Sequence, residues 1–517
     1  TRLSSPTLTL KVFQILSVKK MIKTNKIKCS YTLLLITALF ITSCDLQTSY
    51  PNLAVTPASD PLENSFLPAS AQTPLPTRTT YIPGELVDYT AQSGDTLPAL
   101  AKRFNTSVGE ILQANTQIPR DATTMPPGMP MKIPIYYLAL WASPFQIIPD
   151  HAFVNSPTAI GFNTAAFVAN QPGWLKKYRV YVSGQWRSGA EMVDYIATNY
   201  SINPRLLLAI LEYQGDALTL PDIPEKKNLL GFKRQFWDSH YLQLVLAANN
   251  INNGYYGWRA GNLLEFNDVD NFLIRPDPWQ NAASVAIQYY YSRIFAGDKY
   301  TVATGPDGFF RTYKNLFGNP WNDTLILIPV SLHQPAFRFP FPDNQAWTYT
   351  GGPHTGWGTG EPFAAIDFAP PSEKSGCITA GNQNFAVAMA DGLVVRSNVD
   401  GIALDLDKDG DERTGWVIFY LHLAAEQRAP LGAELNAGDL IGFPSCEGGH
   451  ATGTHVHIAR KYNGEWIVAD SAIPFNINGW VTHNGSRDYL GTLTKGNSTI
   501  VACDCSDAGS SISSGTP

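Results

Sequence analysis

Charged residues are scarce in this chain. They make up 15% of its 517 residues, and the formal net charge is −6 at pH 7. Proteins that bind nucleic acid through its phosphates need an excess of basic side chains, so this balance excludes that class. With 44% hydrophobic residues the composition is that of an ordinary globular protein, and the length predicts about three domains.

Long apolar runs are also lacking, apart from one near the N-terminus. From Met21 the chain shows three lysines, an apolar run and small residues before Cys44, a pattern typical of a signal peptide and too short for a comfortable membrane span. We expect translation to start at Met21 and the signal peptide to cover residues 21–44. The end of this run, ITSC, resembles a lipobox, which implies that Cys44 is lipidated and anchors an exported protein to a membrane at the cell surface. The alternative is a plain secretory signal.

Residues 45–86 contain little that can form a core. They are rich in Pro, Thr, Ser and Ala and show no apolar periodicity. Such a segment cannot bury enough surface to fold. We expect a semi-extended linker that holds the following domains away from the membrane.

Residues 87–135 follow a βααβ pattern. A strand, VDYTA, meets a turn in which Asp95 or Thr96 can cap the first of two helices, and a second strand closes the unit. With the phrases QSGDTL, ANT and PPGM the segment resembles a lysin-motif (LysM) domain. The resemblance implies binding of N-acetylglucosamine-containing glycans such as peptidoglycan, in a groove between Gly94-Asp95-Thr96 and the loop after the second helix. That loop, TQIPRDATTMPPG, is longer than the family pattern, a departure that can reshape the groove.

Residues 155–325 are predicted to be mostly helical. The segment INPRLLLAILEYQ, residues 202–214, resembles the core helix of lysozyme-like transglycosylases, in which a glutamate ends the helix and protonates the glycosidic oxygen. Here Gln214 stands at that position, and Glu212 lies two residues earlier, about 200° away round the helix. Because an amide cannot act as a general acid, we expect a non-catalytic domain that binds glycan strands or spaces the other domains.

Residues 340–503 change to β character, with strands separated by turns that contain Gly and Asp. Within them GTHVHIA places His455 and His457 two residues apart, and therefore on one face of a strand. One explanation is a polar, solvent-facing strand side. The other is a metal site, in which one imidazole is a ligand and the other lies beside it.

Three further residues favour the metal site. They are His354 in TGGPHTGWG, Asp367 in FAAIDFA and His422 in FYLHLA. In this order the region resembles the lysostaphin-like zinc endopeptidases of the LAS group, and its Gly-Gly-x-His start resembles their beta-lytic, staphylolysin-like branch. The resemblance implies a small antiparallel β-sheet of the duplicated hybrid motif type, whose groove carries one zinc ion.

The resemblance also implies roles. His354, Asp367 and His457 match the metal ligands, and His422 and His455 match the pair that flanks the water at the metal. Two imidazoles, one carboxylate and an open position form a catalytic rather than a structural zinc set. Zinc lowers the pKa of the water and polarises the scissile carbonyl, and an imidazole can take the water's proton or protonate the leaving amine. Which of His422 and His455 is the general base stays open.

Cysteine is the rarest of the reactive residues, and four remain after the expected processing: Cys377, Cys446, Cys503 and Cys505. Their spacing matches no zinc-thiolate set, and an exported protein favours disulfides. Of the three possible pairings we expect Cys377 with Cys446, because both lie in loops that flank the active-site strands.

Two weaker features remain in this region. His450 is expected at the rim of the site. The segment Asp405 to Asp411 copies the start of an EF-hand loop, but Trp416 replaces the glutamate at position twelve, which favours an acidic hairpin turn over a calcium site.

The sequence therefore predicts a multidomain α+β protein that ends in a disordered tail over residues 504–517. The predicted function is that of an exported, monomeric peptidoglycan hydrolase, with a LysM targeting domain and a zinc endopeptidase that cleaves peptide crosslinks or stem peptides. One alternative is a non-catalytic regulator of other hydrolases. Another is a transglycosylase that acts through the middle domain.

Overall fold

The computed structural model describes residues 77–137, 142–372, 376–377, 383–505 and 508–515. The expected signal peptide, Cys44 and most of the expected linker lie outside these residues. Within them, no helix combines the length and the apolar character that crossing a membrane requires.

The first folded unit is a βααβ module. Its elements are β1 (Glu85–Thr90), α1 (Leu97–Arg103), α2 (Val108–Ala114) and β2 (Pro130–Ile135), and the two strands pair antiparallel. The Thr96 side chain caps α1 by accepting a hydrogen bond from the Ala99 amide, and Ser107 and Glu110 form a capping box at α2. These caps satisfy amides that the first turn of a helix leaves unpaired, so the local sequence alone fixes where both helices begin.

The chain just before β1 is docked rather than extended into solvent. Arg78 forms an ion pair with Asp277 of the middle region, and its guanidinium lies 3.9 Å from the centre of the Trp279 ring. The prediction that the linker reaches residue 86 is therefore wrong at its C-terminal end, because a charged and an aromatic partner hold this part of the chain.

The middle region is helical, as predicted. Its helices are α3 (Asp150–Phe153), α4 (Thr164–Ala169), α5 (Gly189–Tyr200), α6 (Pro204–Gly215), α7 (His240–Arg259), α8 (Ala282–Ser292), α9 (Gly297–Thr304) and α10 (Phe309–Phe317). Two hairpins accompany them, β3 (Arg179–Val182) with β4 (Gln185–Ser188) and β5 (Phe266–Asn267) with β6 (Leu273–Ile274). A Cβ placed on Gly254 would lie 2.7 Å from the Cα of Ala286, so α7 and α8 approach through their backbones at the centre of the region.

Glu212 and Gln214, the two candidates for the acid of a glycosidase, both have hydrogen-bond partners in the middle region. The Glu212 carboxylate accepts hydrogen bonds from the Leu218 amide at 2.7 Å and the Thr219 hydroxyl at 2.8 Å, and so orders the turn after α6. Gln214 accepts from the Tyr290 hydroxyl and donates to the carbonyl of Leu230. Both side chains are held by partners within the middle region, and the expectation that this region is non-catalytic stays a prediction.

The C-terminal region is built of strands. They are β7 (Ala346–Thr355), β8 (Phe363–Ala369), β9 (Ala386–Val387), β10 (Gly392–Asn398), β11 (Gly401–Asp405), β12 (Trp416–Leu421), β13 (Glu434–Leu435), β14 (Leu440–Gly442), β15 (Val456–Tyr462), β16 (Glu465–Trp466), β17 (Asn476–Ile477), β18 (Trp480–Asn484), β19 (Gly491–Lys495), β20 (Ser498–Val501) and β21 (Ser511–Ser513). The main antiparallel sheet has the order β13-β10-β11-β12-β15-β8-β7-β21, with β16 beside β15. A second sheet has the order β17-β18-β19-β20, and β9 pairs with β14.

Alternation along the central strands separates a core face from a polar face. Ile366 and Phe368 of β8, and Val456 and Ile458 of β15, are fully buried in one apolar cluster. Since successive strand residues point to opposite faces, Asp367 and the two histidines of the GTHVHIA motif lie on the other face. The sequence pattern thus places the predicted ligands together on one side of the sheet.

The C-terminal tail differs from its prediction. Ser511–Ser513 forms β21, which pairs antiparallel with Ala346–Thr348 of β7, and Ile512 is 1% exposed. The predicted disorder over residues 504–517 is therefore wrong for this segment. Backbone pairing with β7, the buried Ile512 side chain and the hydrogen bond from the Tyr349 amide to the Ser510 carbonyl hold this Ser-rich segment.

The middle region covers part of the polar face of the main sheet. Ala365, Phe419 and Ala459 of the sheet belong to the same buried cluster as the helices of the middle region. The side chains of Asn249 and Asn253 on α7 accept hydrogen bonds from the Thr359 and Glu361 amides, at 2.8 and 2.7 Å. These amides lie in the loop that joins β7 to β8, so α7 supports the connection between two strands of the candidate site.

Arg259, at the end of α7, joins all three folded units. Its guanidinium donates to the carbonyl of Ser93 in the βααβ module at 2.5 Å and lies 3.2 Å from Asp150 in the middle region. It also donates to both carboxylate oxygens of Glu465 in β16, at 2.9 and 3.0 Å. The side chain is only 10% exposed, so this junction is built around one buried cation.

Candidate metal centre

The register of three neighbouring strands assembles the centre. His457 of β15 lies directly opposite Asp367 of β8, and Asp367 is in turn opposite Gly351 of β7. The pairing of β7 with β8 is irregular beyond Gly351, and His354 lies within that irregular part. A Cβ on Gly351 would lie 2.5 Å from Asp367 Oδ2, so the carboxylate fits only because this strand position lacks a side chain.

The three predicted ligands converge on one point. His354 Nε2 lies 2.9 Å from His457 Nδ1 and 3.3 Å from Asp367 Oδ1, and His457 Nδ1 lies 3.4 Å from the same oxygen. All three residues are buried, with exposures of 5% or less. No other group within the described ranges joins them in this set of potential ligands.

Backbone carbonyls select the tautomers of these two rings. His354 Nδ1 lies 2.8 Å from the carbonyl oxygen of Gly352, and His457 Nε2 lies 3.2 Å from that of Gly356. A carbonyl oxygen only accepts, so these nitrogens carry the protons and donate. His354 Nε2 and His457 Nδ1 therefore present lone pairs to each other, and neither can hydrogen-bond to the other.

Asp367 adds a third unused electron pair. Its Oδ1 is buried and receives no hydrogen bond from the described residues. Burial would raise the pKa of this carboxyl, yet the imidazoles of His354 and His455 hold it well below its usual range. When both rings are neutral, their two lone pairs and the carboxylate oxygen form the donor set of a divalent cation, and the residues present fit a zinc ion.

The pKa values of His354 and His457 are shifted in opposite directions. Burial lowers the pKa of His354, but the Asp367 carboxylate outweighs this and raises the pKa overall. Burial also lowers the pKa of His457, and there the same carboxylate does not compensate.

His422 and His455 form a second pair beside the three. Their ring centres are 4.5 Å apart, and His455 Nε2 lies 3.8 Å from Asp367 Oδ2. His422 Nδ1 donates to the carbonyl of Glu447 at 3.0 Å, and His455 Nδ1 donates to that of Gly453 at 2.8 Å. Each ring thus keeps its Nε2 for the site. Burial, together with the charges of neighbouring imidazoles, lowers the pKa of His422 to about 3, which keeps this ring neutral.

A disulfide connects two loops beside the candidate centre. Cys377 is bonded to Cys446, as predicted, and the carbonyl of Gly376 accepts a hydrogen bond from the Thr454 amide at 3.2 Å. The bridge therefore ties the loop before β9 to the segment that enters β15. Cys503 and Cys505 form the other disulfide.

Tyr489 is a site residue that sequence reasoning missed. Its ring stacks on His354 with centres 4.1 Å apart, and it remains 50% exposed at the edge of the centre. Burial, reinforced by the charge of Asp367, raises the pKa of its hydroxyl to about 12, so it stays protonated as a potential hydrogen-bond donor. No motif marks it in the sequence, because the turn between β18 and β19 brings it to the site.

The remaining predicted residues lie outside the centre. His450 is exposed, as expected for a rim residue. Asp405, Asp407 and Asp409 cluster in the turn between β11 and β12, where the sequence predicted an acidic hairpin turn.

The predicted glycan contacts of the βααβ module have structural roles. Asp95 is 1% exposed, pairs with Arg103 at 2.9 Å and accepts hydrogen bonds from the Tyr89 hydroxyl and the Gln92 amide. Thr96 caps α1, and a Cβ on Gly94 would lie 2.8 Å from the Arg259 guanidinium. The Asp95 carboxylate is therefore occupied within its own turn, and glycan binding beside Gly94, Asp95 and Thr96 stays a prediction.

Comparisons with known proteins find two matching domain families and several relatives. Residues 89–134 match the LysM domain family, and residues 146–331 match the family described as LasA, N-terminal domain. Protease LasA of Pseudomonas aeruginosa is 24% identical over 329 residues, which cover 59% of this chain and 74% of the relative. The beta-lytic metalloendopeptidase of Achromobacter lyticus is 31% identical over 137 residues, 25% of this chain and 34% of the relative.

One solved structure that the chain is similar to is the M23 metalloprotease pseudoalterin from the deep sea, with 22% identity and a TM-score of 0.28 over 33% of this chain and 96% of that chain. The match of the middle region is to the LasA N-terminal domain, and the lysozyme-like fold expected there stays a prediction. The two matched domain families and the two relatives support the interpretation of the chain as a LasA-like peptidase that carries a LysM domain.

Proposed function

We propose that this protein is a zinc-dependent endopeptidase that cleaves peptide crosslinks or stem peptides of bacterial peptidoglycan. The observation that carries the proposal is the convergence of His354 Nε2, His457 Nδ1 and Asp367 Oδ1, three potential metal-donor atoms that lie 2.9 to 3.4 Å from one another. The LysM match supports peptidoglycan as the partner. We further propose export and membrane attachment through Cys44, and a monomeric state.

The proposed ligands leave an open coordination position, which distinguishes a catalytic zinc site from a structural one. When bound there, zinc lowers the pKa of a water molecule and polarises the carbonyl of the scissile bond. The protein holds the set rigidly, since the outer nitrogen of each imidazole donates to a backbone carbonyl and Gly351 leaves room for Asp367.

We assign proton transfer to His422 and His455. The carbonyls of Glu447 and Gly453 hold the proton of each ring on Nδ1, so each Nε2 can accept a proton from the attacking water. The same pair can return a proton to the leaving amine, and the Tyr489 hydroxyl is placed to donate to the peptide carbonyl. All five predicted side chains are present and clustered, which favours an enzyme over a non-catalytic regulator.

Digestion of purified peptidoglycan by the full chain tests the proposal. Mass spectrometry of the soluble products should show new amino termini at peptide bonds and intact glycan strands. Asp367→Ala should lose both zinc and product release, because it removes a charged ligand. Asp343→Ala, at an exposed position of the same region, is the matched control. New reducing ends without new amino termini would overturn the proposal, and so would full zinc content and activity in Asp367→Ala.

A further inference from the structure

A run of hydrogen bonds ties the LysM domain to the connection between α10 and β7. We name residues 327–332 of this connection the bridging segment. The Ser93 hydroxyl accepts from the Ile328 amide at 2.7 Å and donates to the Ile328 carbonyl at 3.1 Å. The Thr124 hydroxyl donates to the carbonyl of Pro329 at 2.8 Å and accepts from the Leu332 amide at 3.1 Å.

Two more bonds complete this contact. The Thr123 hydroxyl donates to the Leu332 carbonyl at 2.8 Å, and the Ser331 amide donates to the Thr124 carbonyl at 3.2 Å. The bridging segment therefore contacts LysM largely through its backbone. Its amides donate to hydroxyl groups of LysM, and its carbonyls accept from them. An N-acetylated glycan offers the same kinds of group, since its acetamido N–H donates and its carbonyl and hydroxyl oxygens accept.

The contacted LysM residues are those beside the expected glycan groove. Ser93 directly precedes Gly94 in the turn after β1. Thr123 and Thr124 lie in the loop after α2, within the extra length that departs from the family pattern. Thr124 is 1% exposed, so its hydroxyl is covered and closed to any second partner in this arrangement. Both walls of the groove thus hold the bridging segment.

The other side of the bridging segment faces the peptidase region. Ile328 and Leu332 are 2% and 7% exposed and share an apolar cluster with Trp416, Ile467 and Ile473. The Asn463 side chain donates to the carbonyl of Leu327 at 2.8 Å. The segment is therefore held from two sides, by LysM through its backbone and by the peptidase through its side chains.

We propose that the bridging segment and an N-acetylglucosamine-containing glycan compete for the LysM groove, so that glycan binding releases the segment from LysM. The inference rests on the proposed binding of peptidoglycan by LysM. The segment belongs to the same chain, so its effective concentration at the groove is high and it lowers the apparent affinity for a glycan. Release would also remove one layer of contact between LysM and the peptidase, which makes wall binding and domain arrangement dependent on each other.

Hydrogen exchange of the full chain tests the competition. The Ile328, Ser331 and Leu332 amides donate to LysM and should exchange slowly in the free protein. A soluble tetramer of β-1,4-linked N-acetylglucosamine should speed exchange in residues 327–332, with the same concentration dependence as its binding measured by calorimetry.

Leu332→Ala loosens the segment from the peptidase side without changing a LysM side chain. The variant should bind the tetramer more tightly than the parent, on the order of tenfold, because the competing state is weakened. Ile500→Ala, at an 8% exposed position in the other apolar cluster of the region, controls for general destabilisation and should not change affinity.

The outcomes separate this inference from the proposed function. Binding with unchanged exchange at residues 327–332, and equal affinity in Leu332→Ala and Ile500→Ala, would overturn the competition and leave LysM as a glycan-binding domain. Absence of tetramer binding in every variant would overturn glycan binding by LysM and the competition with it, whereas the peptidase activity is measured independently on peptidoglycan.

Discussion

At the scale of single residues, the candidate centre depends on carbonyl oxygens as much as on imidazoles. Four histidines each donate one N–H to a backbone carbonyl, and this decides which nitrogen faces the site. For His354 and His455 the acceptor is two residues earlier and is a glycine carbonyl, so the local pattern Gly-x-His already contains the tautomer choice. For His422 and His457 the acceptors are distant in sequence and follow only from the fold.

The assignment of His457 as a metal ligand, and of His422 and His455 as proton-transfer residues, predicts different losses of zinc and of rate when each histidine is replaced. His457→Ala should lose zinc as well as turnover, because it removes a donor of the converging set. His455→Ala and His422→Ala should retain near-stoichiometric zinc and lose about a hundred- to ten-thousand-fold in rate, the usual contribution of a proton-transfer residue. Metal content by mass spectrometry, alongside peptidoglycan hydrolysis, checks all three.

His483→Ala is the matched control, since this ring lies 2.8 Å from the Thr494 hydroxyl, outside the centre. Zinc loss in His455→Ala together with zinc retention in His457→Ala would reverse the assigned roles.

The five residues with motif context could be found from sequence, whereas Tyr489 and the α7 asparagines could not. Asp367 and the GTHVHIA pair lie in strands whose alternating pattern by itself predicts that these side chains share one face. Tyr489 reaches His354 through a turn, and Asn249 and Asn253 act on a loop more than a hundred positions away. Nothing in the local pattern encodes such contacts.

At the scale of elements, the hairpin that joins β11 to β12 places three aspartates close together. Asp405 is fully buried at its start, and Asp407 and Asp409 follow at alternate positions. Burial, together with the neighbouring carboxylates, raises the pKa of Asp405 to about 6. The folded hairpin therefore binds this proton more tightly than the unfolded chain, in which an aspartate titrates near pH 4.

The raised pKa predicts the direction of a stability change with pH. The contribution of protonated Asp405 is fully present below about pH 4 and is lost as the pH rises through about 6. Asp405→Asn keeps an acceptor for the Gly410 amide and removes the charge. Its thermal midpoint should exceed that of the parent at pH 7, and the two should coincide at pH 4.

The exposed Asp343→Asn should show no such pH-dependent difference. A lower midpoint for Asp405→Asn at pH 7 would mean that the fold stabilises the charged form of Asp405, contrary to the raised pKa.

Elements with side-chain signals were the predictable ones. Caps and apolar spacing identified α1 and α2, the segment INPRLLLAILEYQ indicated α6, and alternation identified β8 and β15. β21 escaped prediction because it is held by backbone pairing and the single buried side chain of Ile512, which composition does not register.

At the scale of the whole molecule, one buried arginine unites three domains. Arg259 forms ion pairs with Glu465 and Asp150 and donates a hydrogen bond to the Ser93 carbonyl. All of these groups are largely shielded from water. Removing one partner of a buried ion pair leaves the opposite charge uncompensated, which costs about 3–5 kcal/mol. The sequence predicted successive regions of different character but not this junction, because its partners are separated by more than a hundred residues.

Arg259→Met should therefore lower the thermal midpoint strongly and increase cleavage by a general protease between the domains. Pairing it with Glu465→Gln should recover part of the loss, since the stranded carboxylate is then neutral. Arg311→Met removes a 45% exposed arginine, 3.7 Å from Asp307, and should change stability by no more than about 1 kcal/mol. Equal losses for Arg259→Met and Arg311→Met would show that the junction contributes no more than a surface pair.

The position of β21 affects which strand edges the molecule exposes to other copies of itself. β7 carries His354, and β21 lies on its outer side, at the end of the main sheet. Without this short strand, β7 would present a row of free amides and carbonyls, the template on which sheets join edge to edge. A Ser-rich tail is well suited to cover that row, because it completes the pairing while offering few apolar groups to a neighbour. Residues 511–513 thus cover the part of the edge of β7 that Ala346–Thr348 would otherwise leave open to a second molecule.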